Sequence, residues 1–388
     1  MRIVLSNPEH PEYGMATIPI PIPRKEYDSC MEILQAMEIG DAVLRDCKVE
    51  QFSTGWQVLD SLNGQLVNID ELDYLMKRLE SFFGDEDSKF LAAASARGLT
   101  DVKDLINLTF CSYKTTVVTD FSNLEKIGKE HAMDLNGGSM VSEEYKQLDG
   151  RSIALELIHS GKGKITPYGV LYENGMELEE LYTGSSFPPY LYERSLLVVD
   201  VFPKEHKDIK AMLALPMSEK QIDGALIRAG ISLEDVMEYR IEDCWLPDGV
   251  SELITPDVEL GELNELCDAL ADYDDSFLEK LGAVVSFVKP LGIKQVTELV
   301  HNLDDFDYIP NINTPEELGR YYIRESNRFL YDDHLDGYYD YARYGENRIK
   351  EHEGAFVEKG YVEYCGDCSL DEIFSEEETE SQDMEMRV

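Results

Sequence analysis

Basic residues are scarce in this sequence. Only 35 lysines and arginines stand against 78 aspartates and glutamates, for a formal net charge of −43 and a pI near 4.3. A chain charged this way is repelled by nucleic acid and by anionic membranes, so its expected partners are cations or basic protein surfaces. Long apolar runs are also missing: no stretch approaches the ~18 residues of a membrane span. The opening MRIVLSNPEHPEYG has no apolar segment behind a basic one, so it does not read as a signal peptide. Cysteines number seven, an odd and scattered set that makes a poor disulfide framework and suits a reduced, cytoplasmic protein. Cys365 and Cys368 form a lone CxxC without the second pair that a zinc ribbon needs, and are read as incidental.

Catalytic signatures are absent as well. None of the seven histidines sits in an HExxH context, and there is no GxSxG stretch. His334 and His352 lie among acids and read as solvated. The stretch SGKGK (160–164) lacks the spacing of a phosphate-cradling loop. Carboxylate pairs for glycoside hydrolysis are too abundant in so acidic a chain to point anywhere. In LDDFDYIP (303–310), an EF-hand begun at Asp305 puts Asp307 at position 3 and Glu316 at position 12. It also puts Ile309 at position 5 and Pro310 where glycine is required, so the loop cannot turn around an ion. The expectation is therefore no enzyme, no cofactor and no metal site.

What the chain does have is length, apolar material and internal likeness. Its 388 residues allow two or more cores, and an apolar content of 43% is enough to fold them. Laid over itself at an offset of roughly 194, it matches weakly along its whole length. IPIPRKEYD (20–28) lies over LPMSEKQID (215–223), VNIDELDYLMKRLESF (67–82) over VELGELNELCDALADY (258–273), and GLTDVKDLIN (98–107) over GIKQVTELVH (292–301). This predicts an α+β fold: an elongated, modular chain of small α/β and helical modules, repeated twice. The expected pieces are a β-rich module 1–66, a helical module 67–120, a closing α/β module 121–181 and a linker 182–194. A second β-rich module 195–257, helical module 258–311 and α/β module 312–368 follow, then a disordered acidic tail 369–388.

Local signals fill in these modules. Runs at 3–5 and 195–201 read as strands, and short helices are expected near 24–37 and 218–229. Leu263, Leu266, Leu270, Phe277, Leu278 and Leu281 recur at helical steps and form an apolar stripe. Thr314, Pro315 and Glu317 spell a helix start with a capping box. AFVEKGYVEY (355–364) reads as a short hairpin.

The acids are unevenly shared. Residues 1–194 hold 32 acids and 18 bases, a net of −14; residues 195–388 hold 46 and 17, a net of −29. In the second half Glu262, Glu265 and Asp268 fall at three-residue steps away from the leucines. Asp272, Asp274, Asp275, Asp304, Asp305, Asp307, Glu316, Glu317, Glu325, Asp332, Asp333, Asp336 and Asp340 follow. Like charges at such spacing destabilise a helix by tenths of a kcal/mol per pair, so a function that sustains them is expected. The net charge of −43 equals that of roughly 21 base pairs of duplex. Carboxylates on an extended scaffold could stand in for phosphates and displace DNA from a basic groove.

At this point the second half resembles the ArdA antirestriction proteins of plasmids, phages and conjugative transposons. The residues that carry the likeness are YRIEDCWLP (239–247), ELNELCDALADYDD (262–275), TPEELGRYYIRES (314–326) and, most specifically, DGYYDYARYGENRIKEHEGAFVEKGYVEY (336–364). The resemblance implies a curved acidic rod of three modules that mimics bent B-DNA. It implies occupation of the DNA-binding site of type I restriction–modification enzymes, which blocks restriction and leaves modification as a second step open to block. It further implies a homodimer joined through C-terminal modules, or here an intramolecular pseudo-dimer. Carried over by position, Tyr339, Asp340, Tyr341, Ala342, Tyr344 and Gly345 match the stretch linked to antirestriction and dimer contact, and the acids named above form the mimic surface. Ordinary core packing of Tyr341 and Tyr344 stays open beside that reading. So does an alternative function: an acidic chaperone or regulator for another basic DNA-binding partner, such as a different defence nuclease. The first half departs from the family, with LDGRSIALELIHSGKG (148–163) in place of the tyrosine-rich stretch.

Overall fold

A computed structural model describes residues 1–53, 56–326, 329–367 and 369–374. Cys368 and the acidic run 375–388 lie outside the described residues, and with them one half of the CxxC pair and most of the expected tail; the tail's first residues are described, and Leu370–Ile373 form a short helix capped by Ser369. The fold is α+β, built from four small sheets and many short helices. Contacts divide the chain into two compact units. One comprises Met1–Glu193, Val201–Leu213 and Ser218–Glu238; the other comprises Arg194–Asp200, Ala214–Met217 and the chain from Tyr239 onward.

The chain opens with strand β1 (Arg2–Ser6), strand β2 (Met15–Pro19), helix α1 (Tyr27–Ala36), strand β3 (Cys47–Phe52), helix α2 (Gln57–Asp60) and strand β4 (Leu66–Val67). The strands form an antiparallel sheet in the order β2-β1-β3-β4. Ile3 and Leu5 alternate inward on β1, as do Ala16 and Ile18 on β2, and they meet Met31 and Leu34 of α1 in the core. Helices α3 (Ile69–Glu80), α4 (Glu86–Arg97) and α5 (Val102–Thr109) extend the same core through Leu72, Leu75, Phe90 and Ile106. A closing module follows: strand β5 (Thr115–Val118), helices α6 (Leu124–Leu135), α7 (Ser142–Gln147) and α8 (Gly150–His159), then strands β6 (Lys164–Thr166) and β7 (Gly169–Glu173), with sheet order β5-β7-β6.

Helix α3 begins where it does because of Asn68. That side chain is fully buried, and it accepts from the Glu71 N–H at 3.0 Å while donating to the carbonyls of Asp41 (2.8 Å) and Leu44 (2.9 Å). Its Oδ1 also accepts from Arg228 at 3.1 Å, and the same guanidinium reaches Asp70 at 2.8 Å. Replacing Asn68 with Ala strands these donors and acceptors. The expected loss is about 2 kcal/mol, the upper end for a helix cap, read as a lower denaturation midpoint for the N-terminal unit.

The second half runs through strand β8 (Leu197–Pro203), strand β9 (Ala211–Leu215), helix α9 (Glu219–Arg228), strand β10 (Met237–Cys244) and helix α10 (Asp248–Ser251), with sheet order β10-β8-β9. Helices α11 (Leu260–Ala269), α12 (Asp275–Val288) and α13 (Ile293–His301) come next. Strand β11 (Phe306–Pro310), helix α14 (Pro315–Arg320), helix α15 (Tyr341–His352), strands β12 (Ala355–Val357) and β13 (Gly360–Tyr364) and helix α16 (Leu370–Ile373) complete it, with sheet order β11-β13-β12.

Several expectations meet the structure directly. The capping box is present: Thr314 accepts from the Glu317 N–H at 3.2 Å, and Glu317 Oε2 accepts from the Thr314 N–H at 3.1 Å. The hairpin is β12–β13. The leucine stripe splits in two, because Asp274 caps a fresh helix by accepting from Phe277 N–H at 3.0 Å. Leu263, Leu266, Leu270, Leu278 and Leu281 are nonetheless all buried. LDDFDYIP is a 3-10 turn running into β11. Among the described residues no helix is long and apolar enough to cross a membrane.

Candidate functional site: the acidic surface and tyrosine-rich segment of the C-terminal unit

The acids singled out from the sequence divide into three groups by what they touch. Glu265 and Asp268 stand exposed on α11, Asp304 on the turn before β11, Glu325 after α14 and Asp333 before α15. Among the described residues no lysine or arginine pairs with these five. They face solvent.

A second group is paired with a neighbouring base. Glu262 lies 3.6 Å from Lys294, and Asp275, 97% exposed at its side chain, lies 2.6 Å from Arg194. Glu316 lies 3.0 Å from Arg320 one helical turn on. Exposed pairs of this kind are worth little in stability, but each removes one negative charge from the far field. Asp272 is exposed.

The third group works on the backbone. Asp274 caps α12, and its hydrogen bonds from Ser276 and the Phe277 N–H hold its carboxyl below the usual range. Glu317 is lowered in the same way by the N–H groups of Asn313 and Thr314 and by the Thr314 hydroxyl. Asp332 accepts from the His334 N–H at 2.9 Å, and Asp340 caps α15 by accepting from the Arg343 N–H at 3.1 Å. Asp305 is half-buried, and its carbonyl accepts from the Cys365 N–H at 2.7 Å.

Asp307 sits on β11 directly across from Glu363 of β13. Like charges in that position are unfavourable, and Glu363 is entirely buried. Three groups stabilise it: Arg348 makes an ion pair, the Tyr322 hydroxyl donates at 3.0 Å and the Tyr361 hydroxyl donates at 3.1 Å. The Arg348 guanidinium also lies over the Tyr322 ring, 4.1 Å from its centroid. Burial and the adjacent carboxylate push both tyrosine hydroxyls well above their ordinary range. Asp307, Glu363 and Cys365 bring ligand atoms within 4.8 Å of one another. Of these three, the buried Glu363 carboxylate is already balanced by Arg348. Phe306 is buried against Phe287 and Tyr364, and Tyr308 donates to Glu279 at 2.9 Å. These two aromatics anchor the strand that carries Asp307.

The tyrosine-rich segment is a lattice centred on Asp336. This carboxylate accepts from Tyr331 at 2.5 Å and from Tyr341 at 2.6 Å, with Arg324 at 3.6 Å, and these partners hold it below the usual carboxylate range. Tyr339 packs between Tyr331 and Tyr341 at ring distances of 5.7 and 5.8 Å. Arg320 lies over Tyr341, and Tyr344 meets Phe329 edge-on at 5.9 Å. Tyr341 is buried, Ala342 and Tyr344 half-buried, and Gly345 buried. A Cβ on Gly345 would fall 1.9 Å from the Pro315 carbonyl oxygen, and one on Gly319 would fall 2.0 Å from that of Tyr341. Helices α14 and α15 therefore touch backbone to backbone. Phe329, Leu330 and Tyr338 remain exposed beside them.

Residues 209–363 match the family model of the antirestriction protein ArdA. The matched segment thus begins before β9, ends within β13 and covers less than half of the chain. It contains the capping box, the Asp336 lattice, the buried Glu363 and every acid placed above. No curated protein matches the chain. Within the matched segment, sequence reasoning missed Arg348, Glu363 and Tyr322. The only available signal was a glutamate inside the apolar run GYVEY, which alternation alone places no better than at an edge.

Proposed function

We propose that this protein is an antirestriction protein that acts by imitating DNA. On this reading the carboxylates of its C-terminal unit occupy the DNA site of a type I restriction–modification enzyme. The observation that supports it is the ArdA match over residues 209–363, on a segment whose exposed acids Glu265, Asp268, Asp304, Glu325 and Asp333 make no ion pair with a lysine or arginine among the described residues. Binding would gain what DNA gains, pairing with lysine and arginine and releasing ions, so it should weaken steeply with salt. No residue of the site is assigned a catalytic role, and the activity is inhibition by occupancy.

The N-terminal unit contributes differently. Its acids are often internally balanced, as with Lys77–Asp73 at 2.8 Å, Lys89–Asp134 at 2.6 Å, Arg97–Glu173 at 2.8 Å and Arg228–Asp70 at 2.8 Å. The halves nevertheless have similar element orders, although β4 and α7 have no counterpart in the second, and the sheets β5-β7-β6 and β11-β13-β12 share their arrangement. We infer a tandem duplication in which the first copy has become mainly a scaffold, giving a pseudo-dimer within one chain.

The test is competition. The intact protein should displace duplex DNA from a type I restriction–modification complex, and its apparent affinity should fall with a steep slope in log salt. Changing Asp304 alone to Asn should alter inhibition less than about twofold. Changing Glu265, Asp268, Asp304, Glu325 and Asp333 together to amides should weaken it by roughly tenfold or more, about 1.4 kcal/mol, with folding intact. Binding that DNA does not contest would instead favour an acidic regulator of some other surface of that complex.

A further inference from the structure

The N-terminal unit contains a groove that the DNA-mimic reading does not use. It lies between α1 and the α9 helix within that unit and has a volume of about 470 Å³. Buried Met31 and Ile39, with the ring of Tyr27, give it an apolar lining, and exposed Ile227 adds to its edge. Around this lining stand Glu38, Asp41, Asp46, Asp70 and Asp223, against a single base, Lys220.

These groups are not equally available. Asp70 is balanced inside the unit by Arg228 at 2.8 Å and by the Tyr27 hydroxyl at 2.8 Å. Lys220 is turned to α1, 3.7 Å from Glu32 and 3.3 Å from Gln35. Asp41 and Asp46 are held in place by backbone groups: Asp41 accepts from the Val43 and Leu44 N–H groups at 2.8 Å, and Asp46 from the Asp41 N–H at 2.9 Å. Fixed carboxylates therefore stand on the 38–46 loop, and Asp223 stands on α9 with no hydrogen-bond or ion-pair partner among the described residues. Between Asp223 and Ile227 the α9 wall has a gap. Gly224 lines the groove, and a Cβ there would meet no atom within 4 Å.

We propose that this groove binds a linear aliphatic polyamine. The complementarity is twofold. Separated carboxylates on opposite walls call for more than one cationic centre, which a single lysine or arginine side chain cannot supply. The apolar lining between them suits the methylene chain that joins such centres, as in other small-molecule sites where an apolar cleft carries a few placed polar groups. Ions held only by the general charge of −43 would require neither the lining nor the gap at Gly224.

The experiment is titration of the full-length protein with spermidine at about 0.15 M salt, where diffuse attraction is screened beyond ~8 Å. One saturable site per chain is expected. Gly224→Phe fills the groove without altering charge, and it should weaken that site at least about tenfold. Asp223→Asn should weaken it as well, whereas Gly224→Ala, which leaves the groove open, should bind as the parent does. Unchanged circular dichroism and melting of each variant show that the fold is retained. An isotherm that is identical for the parent and Gly224→Phe, or a groove that takes an oligo-arginine peptide but not spermidine, overturns the proposal.

Discussion

Arg348→Met should cost the C-terminal unit about 3–5 kcal/mol, the penalty for leaving a buried charge without its partner. Glu363 has no exposed surface, and Arg348 is only 13% exposed at its side chain, so water cannot take over the lost interaction. The Tyr322 and Tyr361 hydroxyls would still donate, but two neutral hydrogen bonds do not balance a desolvated carboxylate. Two controls separate charge from packing. Arg348→Lys keeps the charge but loses the planar stacking over Tyr322, and should fall between parent and Met. The double variant Arg348→Met with Glu363→Gln removes the stranded charge and should recover a large part of the loss. Chemical denaturation followed by tyrosine fluorescence reads all three. A loss under 1 kcal/mol for Arg348→Met would mean that the network does not hold the unit together.

Gly345→Ala is the second large effect. A methyl group there would sit 1.9 Å from a backbone carbonyl oxygen of Pro315, so α14 and α15 would have to separate. Backbone cannot rotate away as a flexible side chain can. The expected cost is therefore about 3 kcal/mol, at the top of the usual range for overpacking. At ~2–4 °C per kcal/mol for a unit of this size, the melting temperature should drop by roughly 6–12 °C. Gly319→Ala should behave alike, because its Cβ would meet the Tyr341 carbonyl. This bears on how the tyrosine-rich segment is interpreted. A Gly345 variant that loses antirestriction by unfolding says nothing about an interface, whereas substitution of exposed Tyr338 leaves the helix pair untouched and tests contact alone.

Much of the local structure was legible. Thr314 and Glu317 announced a helix start, the leucines from 263 to 281 marked a buried stripe, and AFVEKGYVEY marked a hairpin. Each of these signals acts over four residues or fewer, through helical periodicity, strand alternation or a cap. The break at Asp274 was harder to see, because an aspartate can extend a polar face as well as cap a helix, and only the Phe277 N–H decides between them. The roles of the acids were not legible. Asp336 and Glu265 look alike in the sequence, yet one is held by two tyrosine hydroxyls while the other is exposed and has no ion-pair partner among the described residues.

The sequence alone determined that this protein is acidic, modular and α+β, and that its second half is the more negative and the more ArdA-like. Those properties are sums over composition or patterns between near neighbours, and folding cannot change them. Tertiary structure decided which carboxylates remain as charges. Lys294 reaches Glu262 across 32 positions of chain, and β13 carries Glu363 into a core where Arg348 awaits it. Whether an acid is a cap, a buried counter-ion or a bare charge depends on what the fold brings within about 4 Å, because at that range pairing and desolvation outweigh the bulk field.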